Sequence, residues 1–441
     1  MKNSTDTTQD QFHFKQLVRN ILLIIPVALV IGSIVALFLW LLTLAIHYRF
    51  KHTRLLYLLP FAGIAIHLIY KSFGYSAEKG NNLIIDEINK ANSGVPKRMA
   101  PIILLTTIIT HLFGGSAGRE GTAVQIGGSI SAMFGRWFKA TDIEMRIMLI
   151  AGIAAGFGAV FGTPLTGAVF ALEVLTLSRI KYDALLPALI ASFIGDHAVS
   201  FWSIQHTAYR IDSIAPVNFL YVPFDIWLLA KVIIASVLFG LMSWVFAISV
   251  EKVKAIFLKL IKTQWLIPFI GGCIIIGLTF LLNKPDYLSL GVDAEYPGAV
   301  TIPSAFYPHG ADPLSWLWKS IYTIITLGTG FKGGEVTPLF YIGATLGHSL
   351  AVLLNSPVSL FAGLGFVAVF AGATNTPLAC TIMGCELFGS QYLLLFFIAC
   401  FIAYFFSGHT GIYSSQRKFF DADFAEKNYL NQKLHKYRIK W

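Results

Sequence analysis

The sequence predicts an all-α, polytopic membrane protein that carries an internal repeat of broken helices. Composition comes first. Of 441 residues, 56% are hydrophobic and 13% charged, where soluble domains carry about 25% charged residues. A soluble core cannot bury that much apolar surface, so the bilayer is the natural solvent. The second observation is a series of stretches without formal charge, among them 20–47, 99–118, 147–172, 265–283 and 336–385. The third is a pair of matched motifs in the two halves of the chain.

The elements follow in order. The first sixteen residues are polar, and residues 1–16 are expected to be flexible. The apolar run after Arg19 continues to about Leu44, well beyond the roughly 7–15 apolar residues of a cleavable signal, so it reads as a membrane helix. Later apolar segments are shorter than the roughly 20 residues of a simple span, and Gly or Pro interrupts many of them. Helices that stop within the membrane are tolerated only where the broken backbone is buried in protein or lines a cavity. We divide the chain into the segment 1–16, a transmembrane domain 17–415 with halves at about 17–216 and 217–415, and a short basic tail 416–441. That tail holds Arg417, Lys418, Lys433, Lys436, Arg438 and Lys440. It favours a cytoplasmic C-terminus.

Net charge is +10. In a membrane protein that excess belongs in loops and tails. No basic face with interleaved aromatics marks a nucleic-acid partner. Cys273, Cys380, Cys385 and Cys400 lie in apolar runs without paired CxxC spacing, so they read as free thiols. His111, His206, His309 and His348 have no ligand-like spacing and read as structural. No metal site is expected.

Residues 114–128 read GGSAGREGTAVQIGG. A phosphate loop would need Gly-Lys-Ser/Thr after its first glycine and spacer. Here Gly118 is followed by Arg119 and Glu120, and a carboxylate would repel phosphate. A helix start from Thr122 onward fits better, with glycines allowing close backbone approach and free N–H groups aimed at an anion. Residues Gly333-Gly334-Glu335-Val336-Thr337-Pro338 repeat the design. Thr337 suits the N-cap there and Pro338 the first helical position. Gly80-Asn81-Asn82-Leu83 is a third candidate, in which an asparagine can cap the helix or face a ligand.

The repeat sets Glu120, Thr122 and Gly128 against Glu335, Thr337 and Gly343. Further on, Thr163-Pro164-Leu165 with Glu173 matches Thr376-Pro377-Leu378 with Glu386. Repeated architectures of this kind place transport substrates between their halves. Thr163-Pro164 and Thr376-Pro377 read as plain helix starts, and Glu173 and Glu386 as structural hydrogen-bonding groups. A carboxylate within the membrane is a functional residue by default. Glu120, near anion-binding helix ends, can compete with the anion when charged and vacate when protonated. Adjacent residues on a helix point apart, so Arg119 is expected to satisfy another carboxylate or carbonyls. Lys332 is a candidate partner for Glu335.

Gly118-Arg119-Glu120-Gly121, the Gly-Gly-x-x-x-Pro of residues 333–338 and Gly411-Ile412-Tyr413-Ser414 resemble the CLC family of anion channels and proton-coupled exchangers. The resemblance runs from about residue 17 to 415. It implies an inverted repeat of about eighteen tilted and broken helices, a homodimer with one pore per subunit, and no organic cofactor. Carried over by position, Glu120 matches the gating glutamate and the backbone around Arg119–Gly121 the outer anion site. The amides of Glu335 and Val336, with the Tyr413 hydroxyl, match the central site. Asn81 stands where chloride-handling members place a serine.

Departures from the common pattern point to a branch. Thr122 replaces a proline, Glu335-Val336-Thr337 replaces apolar, phenylalanine and small residues, and Val174 stands where many exchangers carry an internal proton-transfer glutamate. Together these resemble the bacterial fluoride/proton antiporters. The resemblance therefore implies fluoride and protons as substrates, export of fluoride from the cytoplasm, fluoride resistance, and residence in the inner or plasma membrane. It leaves a chloride/proton exchanger or a passive anion channel of the same fold as alternatives, and no enzyme. Glu335 and Thr337 then become candidates for gating and proton coupling. Asn81, Arg119, Gly121, Val336 and Tyr413 become candidates for anion binding.

Overall fold

The structure, a computed structural model, describes residues 4–89, 94–177, 182–212 and 226–418. Most of the basic tail therefore lies outside the described residues. Fifteen α-helices form within them: α1 Ser4–Lys51, α2 Leu59–Ile69, α3 Asn81–Asn89, α4 Met99–Leu112, α5 Glu120–Trp137, α6 Asp142–Phe161, α7 Pro164–Glu173 and α8 Leu185–Phe201 belong to the first half. The second half holds α9 Ile226–Leu260, α10 Leu266–Leu282, α11 Ser315–Gly328, α12 Val336–Leu353, α13 Val358–Thr374, α14 Pro377–Phe388 and α15 Leu393–Phe406. Short 3₁₀ and π turns join some of them, and a two-residue parallel pair, Thr176–Leu177 with Arg417–Lys418, is the one sheet among the described residues. Helix α1 runs back to Ser4, through most of the segment expected to be flexible. No proline or glycine lies between Ser4 and Arg19 to stop it.

Five stretches are long and apolar enough to cross a membrane, including Val18–Lys51 and Ile226–Leu260. Others, such as α4 and α7, have only 14 and 10 residues. The chain is therefore a multi-pass membrane protein that mixes helices long enough to span with shorter apolar ones.

The repeat is visible in the elements themselves. Helices α4 and α11 each have 14 residues, and α5 and α12 each have 18. Both α7 and α14 start with proline in the first turn, after Thr163 and Thr376. The residue before each threonine closes the preceding helix in the left-handed region: Gly162 at φ +70° and Asn375 at φ +56°. The proposed register of the motif repeat needs a correction. The same interval separates Met99 from Ser315, Gly118 from Gly334, Glu120 from Val336 and Gly127 from Gly343. Glu120 therefore corresponds to Val336, one residue beyond the Glu335 that sequence identity selects.

Glycine crossings confirm that register. A Cβ on Gly127 would lie 2.0 Å from the Gly152 carbonyl oxygen, and one on Gly343 would lie 2.1 Å from that of Gly365. So α5 meets α6, and α12 meets α13, backbone to backbone, as small residues permit in membrane bundles. Aromatic rings fill the space between the halves, with Phe161 against Phe340 at 5.2 Å and Phe170 on Phe370 at 5.9 Å.

The polar connector between α10 and α11 is stapled by charge. Arg49, 3% exposed, meets Glu295 at 2.8 Å. Lys319, fully buried in α11, donates to the carbonyls of Tyr287 and Ser289 at 3.2 and 2.7 Å. Farther out, Lys284 meets Asp312 at 2.6 Å, and that hydrogen bond raises the Lys284 pKa above its ordinary value.

Candidate functional site

The two glycine-rich loops meet at the centre of the molecule. Gly118 N donates to Gly334 O at 2.6 Å, and Gly334 N returns a bond to Gly118 O at 2.8 Å. A Cβ on Gly118 would stand 2.7 Å from Glu120 Oε2, and one on Gly334 would stand 2.7 Å from Gly121 N. Close approach, not a left-handed φ, is what requires glycine at both positions.

This pairing aims the N-termini of α5 and α12 at one point. The Glu120 carboxylate occupies it, 1% exposed. Arg119 N and Thr337 N each donate to Oε2 at 3.0 Å, and the Thr337 hydroxyl donates to Oε1. The first N–H groups of a helix have no partner within it, and the helix dipole adds a positive end. A carboxylate held by such donors sits where an anion would sit.

The helix starts differ from the sequence reading. Helix α5 begins at Glu120 rather than Thr122, and α12 at Val336, with Glu335 as its N-cap. Thr337 is therefore inside the first turn, and its hydroxyl serves Glu120 instead of its own helix. Thr122 also has a partner elsewhere: its Oγ1 lies 2.7 Å from Thr107 Oγ1 on α4, both residues fully buried. Nor do Arg119 and Glu120 point apart. Arg119 Nε lies 3.9 Å from Glu120 Oε1 and has no hydrogen-bond partner among the described residues. As the N-cap, Arg119 lies outside the regular helical spacing that separates neighbours.

The remaining candidates gather on one side. Asn81 opens α3, and its Nδ2 lies 3.1 Å from where a Cβ on Gly121 would stand. Asn81, Glu335 and Tyr413 line a cavity of about 160 Å³, together with Lys79, Lys254 and Lys332. Val336 is 1% exposed at the start of α12. Among the described residues Lys332 forms no ion pair with Glu335, and instead stands 4.3 Å over the Tyr70 ring. Tyr413 is positioned by the chain around it: Ile412 N donates to Ala373 O at 2.8 Å, and Ser415 N to Asn82 Oδ1 at 3.0 Å.

With this geometry in hand, the family can be assigned. The family profile described as voltage gated chloride channel matches residues 61–408. The chain belongs to the CLC family. It is 46% identical over 393 residues to the chloride/fluoride channel protein of Pseudomonas syringae pv. tomato, covering 89% of this chain and 84% of that protein. It resembles the crystal structure of a CLC-type fluoride/proton antiporter, with a TM-score of 0.84 and 32% identity, covering 92% of this chain and 99% of that one. A slow cyanobacterial Cl⁻/H⁺ antiporter shares the fold, with a TM-score of 0.75 and 22% identity. Membership in the CLC family makes this an ion channel or transporter rather than an enzyme.

Two further features of this CLC protein escape sequence reasoning. The Thr107–Thr122 pair joins residues on different helices, and nothing local in an uncharged stretch marks it. The matched glutamates exchange partners across the repeat. Glu386 accepts from Leu165 N and Thr166 N, each at 2.8 Å, and from Thr166 Oγ1 at 2.6 Å. Glu173 accepts from Leu378 N at 3.0 Å and Ala379 N at 2.8 Å. The expected structural role of both is thereby specified: each caps the helix start of the opposite half. Val174, next to Glu173, is 2% exposed and apolar.

Proposed function

We propose that this protein is a fluoride/proton antiporter that exports fluoride from the cytoplasm and so confers fluoride resistance. The observation that carries the reading is the Glu120 carboxylate, held by Arg119 N, Thr337 N and the Thr337 hydroxyl. Those donors serve a carboxylate or an anion, not both. Protonation of Glu120 weakens its hold and frees the donors. Proton uptake and anion entry are then linked at one place.

Fluoride suits the donor set. It is small and strongly hydrated, so a site must replace lost water with strong hydrogen bonds. Asn81 contributes an amide and Tyr413 a hydroxyl, while Arg119, Gly121 and Val336 contribute backbone at the two helix starts. Glu335 is the second carboxylate of the path and takes the part of the glutamate absent at Val174. The names of the relatives support this choice of ion and of coupling. The working unit is a homodimer with one pore per subunit, in the inner or plasma membrane.

One-to-one exchange moves two charges in the same electrical direction. At about 2.3 kcal/mol per charge per 100 mV, that is roughly 4.6 kcal/mol, enough for a fluoride ratio of order a thousandfold. The test is reconstitution in liposomes with fluoride, chloride and pH followed together. Proton movement driven uphill by fluoride supports the reading. Fluoride flow without proton movement would make the protein a passive channel, and equal driving by chloride would make it a chloride/proton exchanger.

A further inference from the structure

Gln125 lies on α5, buried behind the start of that helix, and takes none of the roles assigned above. Its side chain is 5% exposed, yet its Oε1 has no hydrogen-bond partner among the described residues. Buried polar atoms are almost always paired, and one that is not calls for a reason. Gln125 lines the same cavity as Asn81, Glu335 and Tyr413. It reaches that cavity over Gly80, whose φ is +59° and where a Cβ would stand 3.4 Å from Gln125 Nε2. Asn81 Oδ1 is also buried and without a partner among the described residues.

Both orphan atoms are amide carbonyl oxygens. Such an oxygen accepts hydrogen bonds and donates none. Fluoride cannot satisfy it, because fluoride is itself an acceptor. The species that satisfies them has to carry protons, and the cavity both residues line is large enough for a water molecule.

We infer that Gln125, with Asn81, binds a water molecule that passes protons between the cavity and Glu335. The inference rests on the antiport reading and supplies the inner proton route that Val174 cannot provide. In each transfer the water gains a proton from the cavity side, forming one O–H bond. The O–H that had pointed at Asn81 Oδ1 then turns to the Glu335 carboxylate and gives up its proton there, breaking another. The water is regenerated and no further reactant is consumed. The amide N–H of Asn81 remains available to the anion, whereas Gln125 is a positioning residue for the proton alone.

The test uses the full chain in liposomes and compares wild type with Gln125→Leu, Gln125→Met and Gln125→Glu. The apolar variants keep the bulk but lose the carbonyl. They are expected to cut fluoride-driven proton flux at least tenfold while fluoride flux falls less, so the fluoride-to-proton ratio rises. Gln125→Glu keeps acceptor oxygens in the same place and is expected to hold the wild-type ratio. An unchanged ratio in the apolar variants, whether or not both fluxes fall together, would overturn the inference. So would loss of coupling in Gln125→Glu, the variant most similar in shape, should the apolar ones fail to fold. If wild type itself moves no protons, the antiport reading fails first and separately.

Discussion

Thr337 holds the Glu120 carboxylate twice, by its backbone N–H to Oε2 at 3.0 Å and by its hydroxyl to Oε1. One residue of the second half therefore seats a carboxylate of the first. Thr337→Val keeps the N–H and removes the hydroxyl. A hydrogen bond to a charged group contributes about 1.5–3 kcal/mol, so coupled exchange should fall at least tenfold. Thr337→Ser should restore most of it. Paired fluoride and proton flux measurements decide the matter, and a Val variant with wild-type coupling would remove the hydroxyl from the mechanism.

The Gly118–Gly334 contact should tolerate no side chain. Gly118→Ala places a Cβ against Glu120 Oε2, and Gly334→Ala places one against Gly121 N, each at 2.7 Å. Overpacking of this kind costs about 1–3 kcal/mol. Transport should be lost in protein that still elutes as wild type from a sizing column. Normal transport in either variant would show that the two helix starts can separate without harm.

The Thr107–Thr122 pair should behave as a unit. Either single change to valine leaves a buried hydroxyl unpaired, at about 1–3 kcal/mol. The double change removes both and should recover part of the loss. Thermal unfolding of the two single variants and the double, read as a double-mutant cycle, tests the coupling. Strict additivity would contradict it.

What the sequence discloses of this site follows from how local each feature is. Gly118–Gly121, Gly333–Pro338 and the two Thr-Pro steps are short motifs whose chemistry sits in adjacent residues, so the helix starts are legible to within two residues. The error of two residues at α5 arises because Glu120 and Arg119 take the positions that a conventional cap would fill. Long-range pairings leave no such trace. Thr122 and Thr107, and Lys319 and the Ser289 carbonyl, meet only once each half is folded, and Glu173 and α14 only once the halves are packed. The repeat is a middle case: its existence is legible, but its register is set by helix lengths and by Gly127 and Gly343, not by the shared Glu and Thr.

The exchanged caps give a stability prediction. Glu173→Gln and Glu386→Gln keep the shape and remove the charge that two backbone N–H groups share in each case. Each should destabilise the protein by about 1.5–3 kcal/mol, the contribution of hydrogen bonds to a charged group. Transport per folded molecule should remain. Melting in detergent alongside flux in liposomes separates the two effects. A loss of proton coupling at full stability in Glu173→Gln would place that residue on the proton path instead.

The central claim is that Glu120 couples the two ions, and it can be tested directly in liposomes loaded with fluoride and held without an initial pH gradient. Wild type is predicted to drive protons inward as fluoride leaves, against the pH difference that builds up, and to do so with fluoride but not with an equal chloride gradient. Glu120→Gln, which cannot take up the proton, is predicted to abolish that proton movement. Undiminished proton pumping by Glu120→Gln would contradict the account.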